Sequence, residues 1–243
     1  MTTSEYKTLL RLFVSRENIS RGESAELSEG QHHYLRNVMR VKPGDRLRSF
    51  NGRNGEWLAE VTELSKKKAV ISFLEKIREQ SASSDVRILA SPVKKEAFDI
   101  MVEKSAELGA ANFQPVACER TVVHRANEDR LNAIAIEAAE QCERLDIMTV
   151  EPLADLKNVL ATWPSSRKLI FCLERAEVPP IAGAVRSLGA ASPGLLIGPE
   201  GGFSDGEIAF ITKLPFVVPV SLGRRILKAE TALIAALACI QLA

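Results

Sequence analysis

The chain has 243 residues, enough for two domains or one large and one small, and its 46% hydrophobic and 26% charged residues are those of an ordinary soluble protein. No apolar run reaches the ~18–20 residues of a membrane helix, which excludes a helical span; the C-terminal run TALIAALACIQLA is too short for one. The net charge of +1 hides an asymmetry, because residues 1–80 carry 15 Lys+Arg against 11 Asp+Glu and the remainder 17 against 20, so +4 sits beside −3.

The opening MTTSEYKTLLRLFVSRE has no basic start, long apolar core or small-residue cleavage site, so no signal peptide is expected. Residues 1–75 read mostly as strand. Ser28 and Gln31 have capping-box spacing and open one helix with Tyr34, Leu35, Val38 and Met39 on its apolar side, stopped by Pro43-Gly44. NGRNG, from Asn51 to Gly55, is a turn between the strands Leu47–Phe50 and Trp57–Val61, and KKKAVISFLEK adds a further strand. A small barrel with one helix fits. Between Arg36 and Arg53 the basic residues Arg36, Arg40, Lys42, Arg46, Arg48 and Arg53 face only Asp45, a pattern that suits a polyanion and equally a plain solvated face.

After the polar patch EQSASSD the rhythm becomes strand, helix, strand: VRILA, then EAFDIMVEKSAELG with Phe98, Met101, Val102 and Leu108 on one side and Gly109 in the C-cap place, then FQPVAC. A helix from about Glu128 to Arg144 carries Leu131, Ile134, Ala135, Ala138 and Cys142 on one side, and strands follow at Lys168–Leu173, Gly194–Ile197 and Phe216–Val220. Such alternation predicts a mostly parallel sheet covered on both faces, with its site beyond the carboxyl ends of the strands. The domain boundary falls near residue 80. Cys118, Cys142, Cys172 and Cys239 have no C-x-x-C spacing, and His32, His33 and His124 form no triad or ligand set, so no metal is expected and the cysteines fit the reducing cytoplasm.

GPEGGFSDGE, Gly198 to Glu207, follows the strand GLLI, and Ser204 with Glu207 has capping-box spacing, so PEGGF is a strand-to-helix turn that either presents backbone N–H groups to a ligand or is simply tight. Gly201 and Gly202 would let a flat group approach, whereas Glu200 would repel a phosphate, so a nucleoside without phosphates fits better. A second loop, SLGRRILKAETA, also leaves a strand through a glycine, Gly223, and leads into a helix apolar almost all round, which must be buried in its domain or against another copy.

LLIGPEGGFSDGEI and LGRRILKAETA resemble the paired signature loops of the RsmE family, the SPOUT-class methyltransferases that make 3-methyluridine in bacterial small-subunit ribosomal RNA. KKEAFDIMVEKSAELGA, CERT and IEAAEQCERL resemble the family's upstream segments, and HHYLRNVMRVKPGDRL with FNGRNGEWLAEV its N-terminal PUA-like barrel. The resemblance implies an α/β fold, with residues 1–78 a PUA-like β-barrel that binds RNA and residues 79–243 a SPOUT domain whose deep trefoil knot forms the S-adenosylmethionine pocket. It implies a cytoplasmic homodimer acting on small-subunit ribosomal RNA, within an assembled subunit. The chain departs from the family pattern where Arg224 stands for a proline and Lys228-Ala229 for arginine-threonine.

On that resemblance, Leu173, Gly198, Glu200, Gly201, Gly202, Leu222, Gly223, Ile226 and Leu227 form the cofactor set, the glycines admitting the adenosine and the apolar side chains packing on its faces. Glu200 and Glu230 are candidates for base or orienter, and Arg225 and Lys228 for stabilising a uridine N3 anion; both glutamates are also readable as capping or hydrogen-bonding groups that shape the loops, Glu230 the more so because it enters the first turn of a helix. RNA phosphates would meet Arg36, Arg40, Arg46 and Arg48 on the barrel and Lys94, Arg120 and Arg144 on the larger domain. Two rival readings share these features: a related knotted enzyme acting on ribose 2′-hydroxyls or tRNA, and a non-catalytic RNA-binding assembly factor.

Overall fold

A computed structural model describes residues 6–174, 176–189 and 192–243, and the chain divides into two compact units, Met1–Ala82 with Glu140–Asp146, and Ser83–Ala139 with Ile147–Ala243. The first five residues, part of the stretch read for a leader, lie outside the described residues.

In the first unit β1 (Arg11–Phe13), β2 (Ser24–Glu26), β3 (Arg46–Phe50), β4 (Glu56–Leu64) and β5 (Ala69–Arg78) form one sheet in the order β1-β3-β4-β5-β2. Only β1 and β3 run parallel; β4 is bulged against β5 at three places, which adds local twist. Alternating residues of these strands, among them Leu12, Leu47, Ala59, Val61, Ile71 and Phe73, fill the core. The helix α1 (Glu29–His33) starts at the Ser28–Gln31 capping box and ties to β1, where Gln31 Nε2 donates to the Phe13 carbonyl. It then widens into a π turn, Tyr34–Val38, closed by Met39 N–H to the Tyr34 carbonyl. The expected apolar side is therefore broken: a π turn shifts the register of the face it interrupts, so Leu35 is buried while Tyr34, Val38 and Met39 are exposed.

The second unit is built on a parallel sheet. β6 (Arg87–Ala90), α2 (Lys95–Glu107), β7 (Asn112–Ala117), α3 (Glu128–Gln141), β8 (Thr149–Val150), β9 (Ala154–Asp155), α4 (Leu156–Ala161), β10 (Leu169–Cys172), α5 (Ile181–Leu188), β11 (Gly194–Ile197), α6 (Asp205–Ile211), β12 (Val217–Val220) and α7 (Ala229–Gln241) follow in turn. The strand order is β12-β10-β11-β6-β7-β8, with β9 paired to β7, and every pairing is parallel. One face packs Phe98, Met101 and Val102 of α2 and Leu233, Ala236 and Leu237 of α7. The other carries Leu156, Leu160, Trp163, Phe203 and Ile211. Both faces are covered by buried apolar residues, as a parallel sheet requires. At the exit of β12, Ser221 N–H donates to the Pro179 carbonyl while the Ser221 carbonyl accepts from Ile181 N–H, so the chain entering α7 runs bonded alongside the segment that precedes α5.

The helix expected to run to Arg144 stops at Gln141, with Cys142 exposed and Glu143 in the left-handed region at φ 61°. The cause lies in the barrel unit, which claims the segment. Glu140 Oε1 accepts from Phe13 N–H at 2.7 Å, and Arg11 Nη2 donates to the Arg144 carbonyl at 2.7 Å. Short elements such as β8, β9, α4 and α5 gave no periodic signal strong enough to read.

Candidate functional site

Because all strands of the second unit are parallel, their carboxyl ends share one edge, and the loops at Ser91–Lys94, Cys118–Asn127, Gly198–Ser204 and Ser221–Lys228 gather there. Three of them are laced together. Ser91 N–H donates to the Ile197 carbonyl, and its hydroxyl shares a 2.7 Å hydrogen bond with Thr121, whose Oγ1 also accepts from Cys118 N–H at 2.8 Å. Glu207, buried on α6, accepts from Ser204 N–H with one carboxylate oxygen (2.9 Å) and from Glu119 N–H with the other (2.8 Å). Ser204 Oγ accepts from Glu207 N–H, completing the capping box, and donates to Glu119 Oε2 at 2.5 Å. Arg120 Nη1 donates to the Gly201 carbonyl at 3.2 Å. The hydroxyl of Ser204, followed by the Lys157 ammonium, holds the Glu119 carboxyl below the usual carboxylate range. Burial, reinforced by the Glu207 charge, pushes the Cys118 thiol up to about 12.

Within the loop the glycines have different reasons. A Cβ on Gly198 would lie 2.5 Å from the Phe203 ring, which stands edge-on to Phe171, so that space is filled from inside the protein and not left for a ligand. Gly202 (φ 66°) and Gly223 (φ 108°) have nothing within 4 Å of a Cβ, and only their left-handed backbone calls for glycine. Leu173 is buried at the exit of β10, with its N–H on the Val220 carbonyl; Leu222 and Leu227 are half-buried, and Ile226 is exposed. Among the described residues the backbone N–H and C=O groups of Arg224, Arg225 and Ile226 have no intramolecular partner. Open left-handed glycines, apolar side chains and unused backbone donors and acceptors suit an adenosine moiety.

Glu200 is exposed, as are Gly201 and Arg225. Lys228 is exposed and its Nζ lies 4.0 Å from Glu230 in the first turn of α7. Of the RNA candidates, Lys94 and Arg120 are exposed at this strand edge. In the barrel unit Arg40 and Arg46 are exposed, while Arg36 is half-buried and donates to the Ser65 carbonyl at 3.0 Å. Arg48 and Arg144 are corrected: both are buried, Arg48 against Glu143 (2.9 Å) and Glu56 (3.8 Å), Arg144 against Asp146 (3.1 Å), so their charges are spent inside the fold. Sequence reading missed Ser91, Glu119, Thr121 and Glu207 as the frame of the site. The available signal was a polar turn, CERT, at the exit of a strand beside a capping-box glutamate.

This strand order and these paired loops, carried by a chain with a separate small β unit, define a SPOUT-class RNA methyltransferase with a PUA domain. Residues 79–241 match the RNA methyltransferase domain family and residues 27–74 the RNA methyltransferase PUA domain family. The chain belongs to the ribosomal RNA small subunit methyltransferase E family. It is 33% identical to that protein of Synechocystis over 98% of this chain and 78% of the relative. Among solved structures it is similar to the Neisseria gonorrhoeae enzyme bound to S-adenosyl methionine, with 29% identity, TM-score 0.85 and coverage of 96% and 97% of the two chains. A Legionella pneumophila putative methyltransferase in complex with bound S-adenosylmethionine is likewise 29% identical, with TM-score 0.82, over 96% and 97%.

Proposed function

We propose that the chain methylates N3 of a uridine in small-subunit ribosomal RNA, using S-adenosylmethionine and giving 3-methyluridine. Family membership supports the reaction. The observation that carries the cofactor is the pair of strand-exit loops with left-handed Gly202 and Gly223 and the unpaired backbone groups of Arg224 to Ile226. Bound there, S-adenosylmethionine supplies an electrophilic methyl on its sulfonium, and the transfer leaves a neutral thioether.

The chain's own contribution is positioning and proton handling. Leu173, Leu222, Ile226 and Leu227 would pack the adenosine, and backbone groups of the Gly198–Gly202 and Leu222–Leu227 loops would read its edge and hold it in place for transfer. The uridine N3 proton must leave for N3 to attack, and a carboxylate of Glu200 or Glu230 accepts it; Arg225 and Lys228 stabilise the anion so formed. Lys228 offers a point charge without the planar fork of a guanidinium, so it acts on the anion's charge and not through paired hydrogen bonds. Lys94 and Arg120, with Arg36, Arg40 and Arg46 of the barrel unit, hold RNA phosphates. We assign the dimer contact to the half-buried apolar residues of α7, Ile234, Ala238 and Ile240, in a cytoplasmic enzyme working on an assembled subunit. Among the described residues no helix is long and apolar enough to cross a membrane.

The test is transfer from labelled S-adenosylmethionine to small ribosomal subunits from cells lacking this protein, with the modified nucleoside identified by mass spectrometry. The expected product is 3-methyluridine. A 2′-O-methyl product would replace the acceptor atom in this reading, and absence of transfer would overturn it.

A further inference from the structure

We propose that Glu119 and Glu207 are positioning residues for S-adenosylmethionine: together they clamp the Gly198–Ser204 loop in its binding shape without touching the cofactor. The proposal rests on the reading of that loop as the cofactor loop. Its evidence is a closed circuit of hydrogen bonds between the turn after β7 and the loop after β11. Glu207 is 3% exposed, and its two oxygens accept one backbone N–H from each segment, Ser204 at 2.9 Å and Glu119 at 2.8 Å. Glu119 returns the link through its side chain, which accepts from Ser204 Oγ at 2.5 Å and from Lys157 Nζ at 3.3 Å. Arg120, the next residue, donates to Gly201 within the loop at 3.2 Å.

The circuit matters because Phe203, packed on Phe171, anchors the base of the loop, while its tip from Glu200 to Gly202 has little else to fix it. Gly201 and Gly202 give it backbone freedom, and Gly202 N–H to the Pro199 carbonyl is its one internal backbone bond among the described residues. A loop this free loses conformational entropy on binding a ligand unless the protein orders it beforehand. Glu207 needs both oxygens as acceptors. A carboxamide in its place has one acceptor oxygen and would turn its NH2 toward the second N–H, leaving a buried donor unpaired. For the link to Ser204 the Glu119 side chain needs one acceptor oxygen, which glutamine retains while giving up the exposed contact with Lys157.

The experiment measures S-adenosylmethionine dissociation constants by calorimetry for the full chain and for Glu119→Ala, Glu119→Gln, Glu207→Gln and Gly202→Val, with thermal unfolding of each. Glu119→Ala and Glu207→Gln should weaken binding by about tenfold, the scale of one missing hydrogen bond to a charged group, while KM for the RNA stays within about twofold. Glu119→Gln should recover most of the affinity. Glu119 is exposed, so its variants fold even if Glu207→Gln does not. If Gly202→Val abolishes binding while Glu119→Ala binds like the unaltered protein, the clamp is overturned and the cofactor loop stands. If Gly202→Val also binds normally, the loop reading itself fails.

Discussion

The cysteines show at the scale of single residues how burial sets chemistry. Burial pushes the thiols of Cys118 and Cys172 up to about 12, so neither forms the thiolate that attacks an alkylating reagent at about pH 8, whereas Cys142 stands exposed beyond the end of α3. Iodoacetamide at about pH 8 should label Cys142 first and reach Cys118 and Cys172 only on unfolding; peptide mapping showing early Cys118 modification would refute that order. Glu119 supplies a second residue-scale expectation. Its folded value is lowered, so the link to Ser204 adds stability above the ordinary carboxylate range and loses it as pH falls through the lowered value. The Ser204 hydroxyl is the larger cause and Lys157 the lesser. Ser204→Ala should therefore raise the Glu119 titration midpoint, followed by carboxyl-detected NMR, more than Lys157→Ala does.

Elements show what pattern reading can and cannot recover. The Ser28–Gln31 and Ser204–Glu207 capping boxes were legible because a three-residue spacing fixes their chemistry, α2 because its apolar residues recur along a face, and α7 because it is apolar almost all round. Gly194 was not legible: inside β11 it reads as a weak strand residue, yet a Cβ there would run into the Trp163 ring and lie 2.9 Å from Leu169 Cδ1. Only the tertiary packing explains it. Gly194→Ala should cost about 1–3 kcal/mol through overpacking. On the opposite face, Leu233→Ala in α7 should cost about 2–5 kcal/mol through the cavity it leaves. Denaturant titrations of the two variants test both, and a neutral Gly194→Ala would mean that Trp163 moves aside without penalty. The frame of the site escaped detection for the same reason, since Glu119 and Glu207 are 88 residues apart and no local pattern joins them.

On the scale of the whole molecule, the change of rhythm near residue 80 revealed two units, but not that Glu140–Asp146 returns to the first, because that return is written in long-range interactions. Glu56, fully buried, takes Arg11 at 2.5 Å, Arg78 at 3.4 Å and Arg48 at 3.8 Å, and Arg48 and Arg78 also bond Glu143 or its carbonyl. Basic residues in this unit therefore do two different jobs. Those of the buried network hold it together, and removing one partner strands the others, at a cost of about 3–5 kcal/mol. Arg40, Lys42 and Arg46 are exposed, and on the proposed reading they meet phosphates. The two roles separate in one experiment on RNA binding against salt. Every phosphate that a variant no longer neutralises reduces the slope of log K against log salt by roughly 0.7 to 0.9, so alanine at Arg40, Lys42 and Arg46 together should flatten it by about 2 to 3 with little change in the unfolding midpoint. Arg48→Ala should do the reverse, lowering the midpoint while the folded protein keeps its slope. An unchanged slope in the triple variant would take the barrel off the RNA.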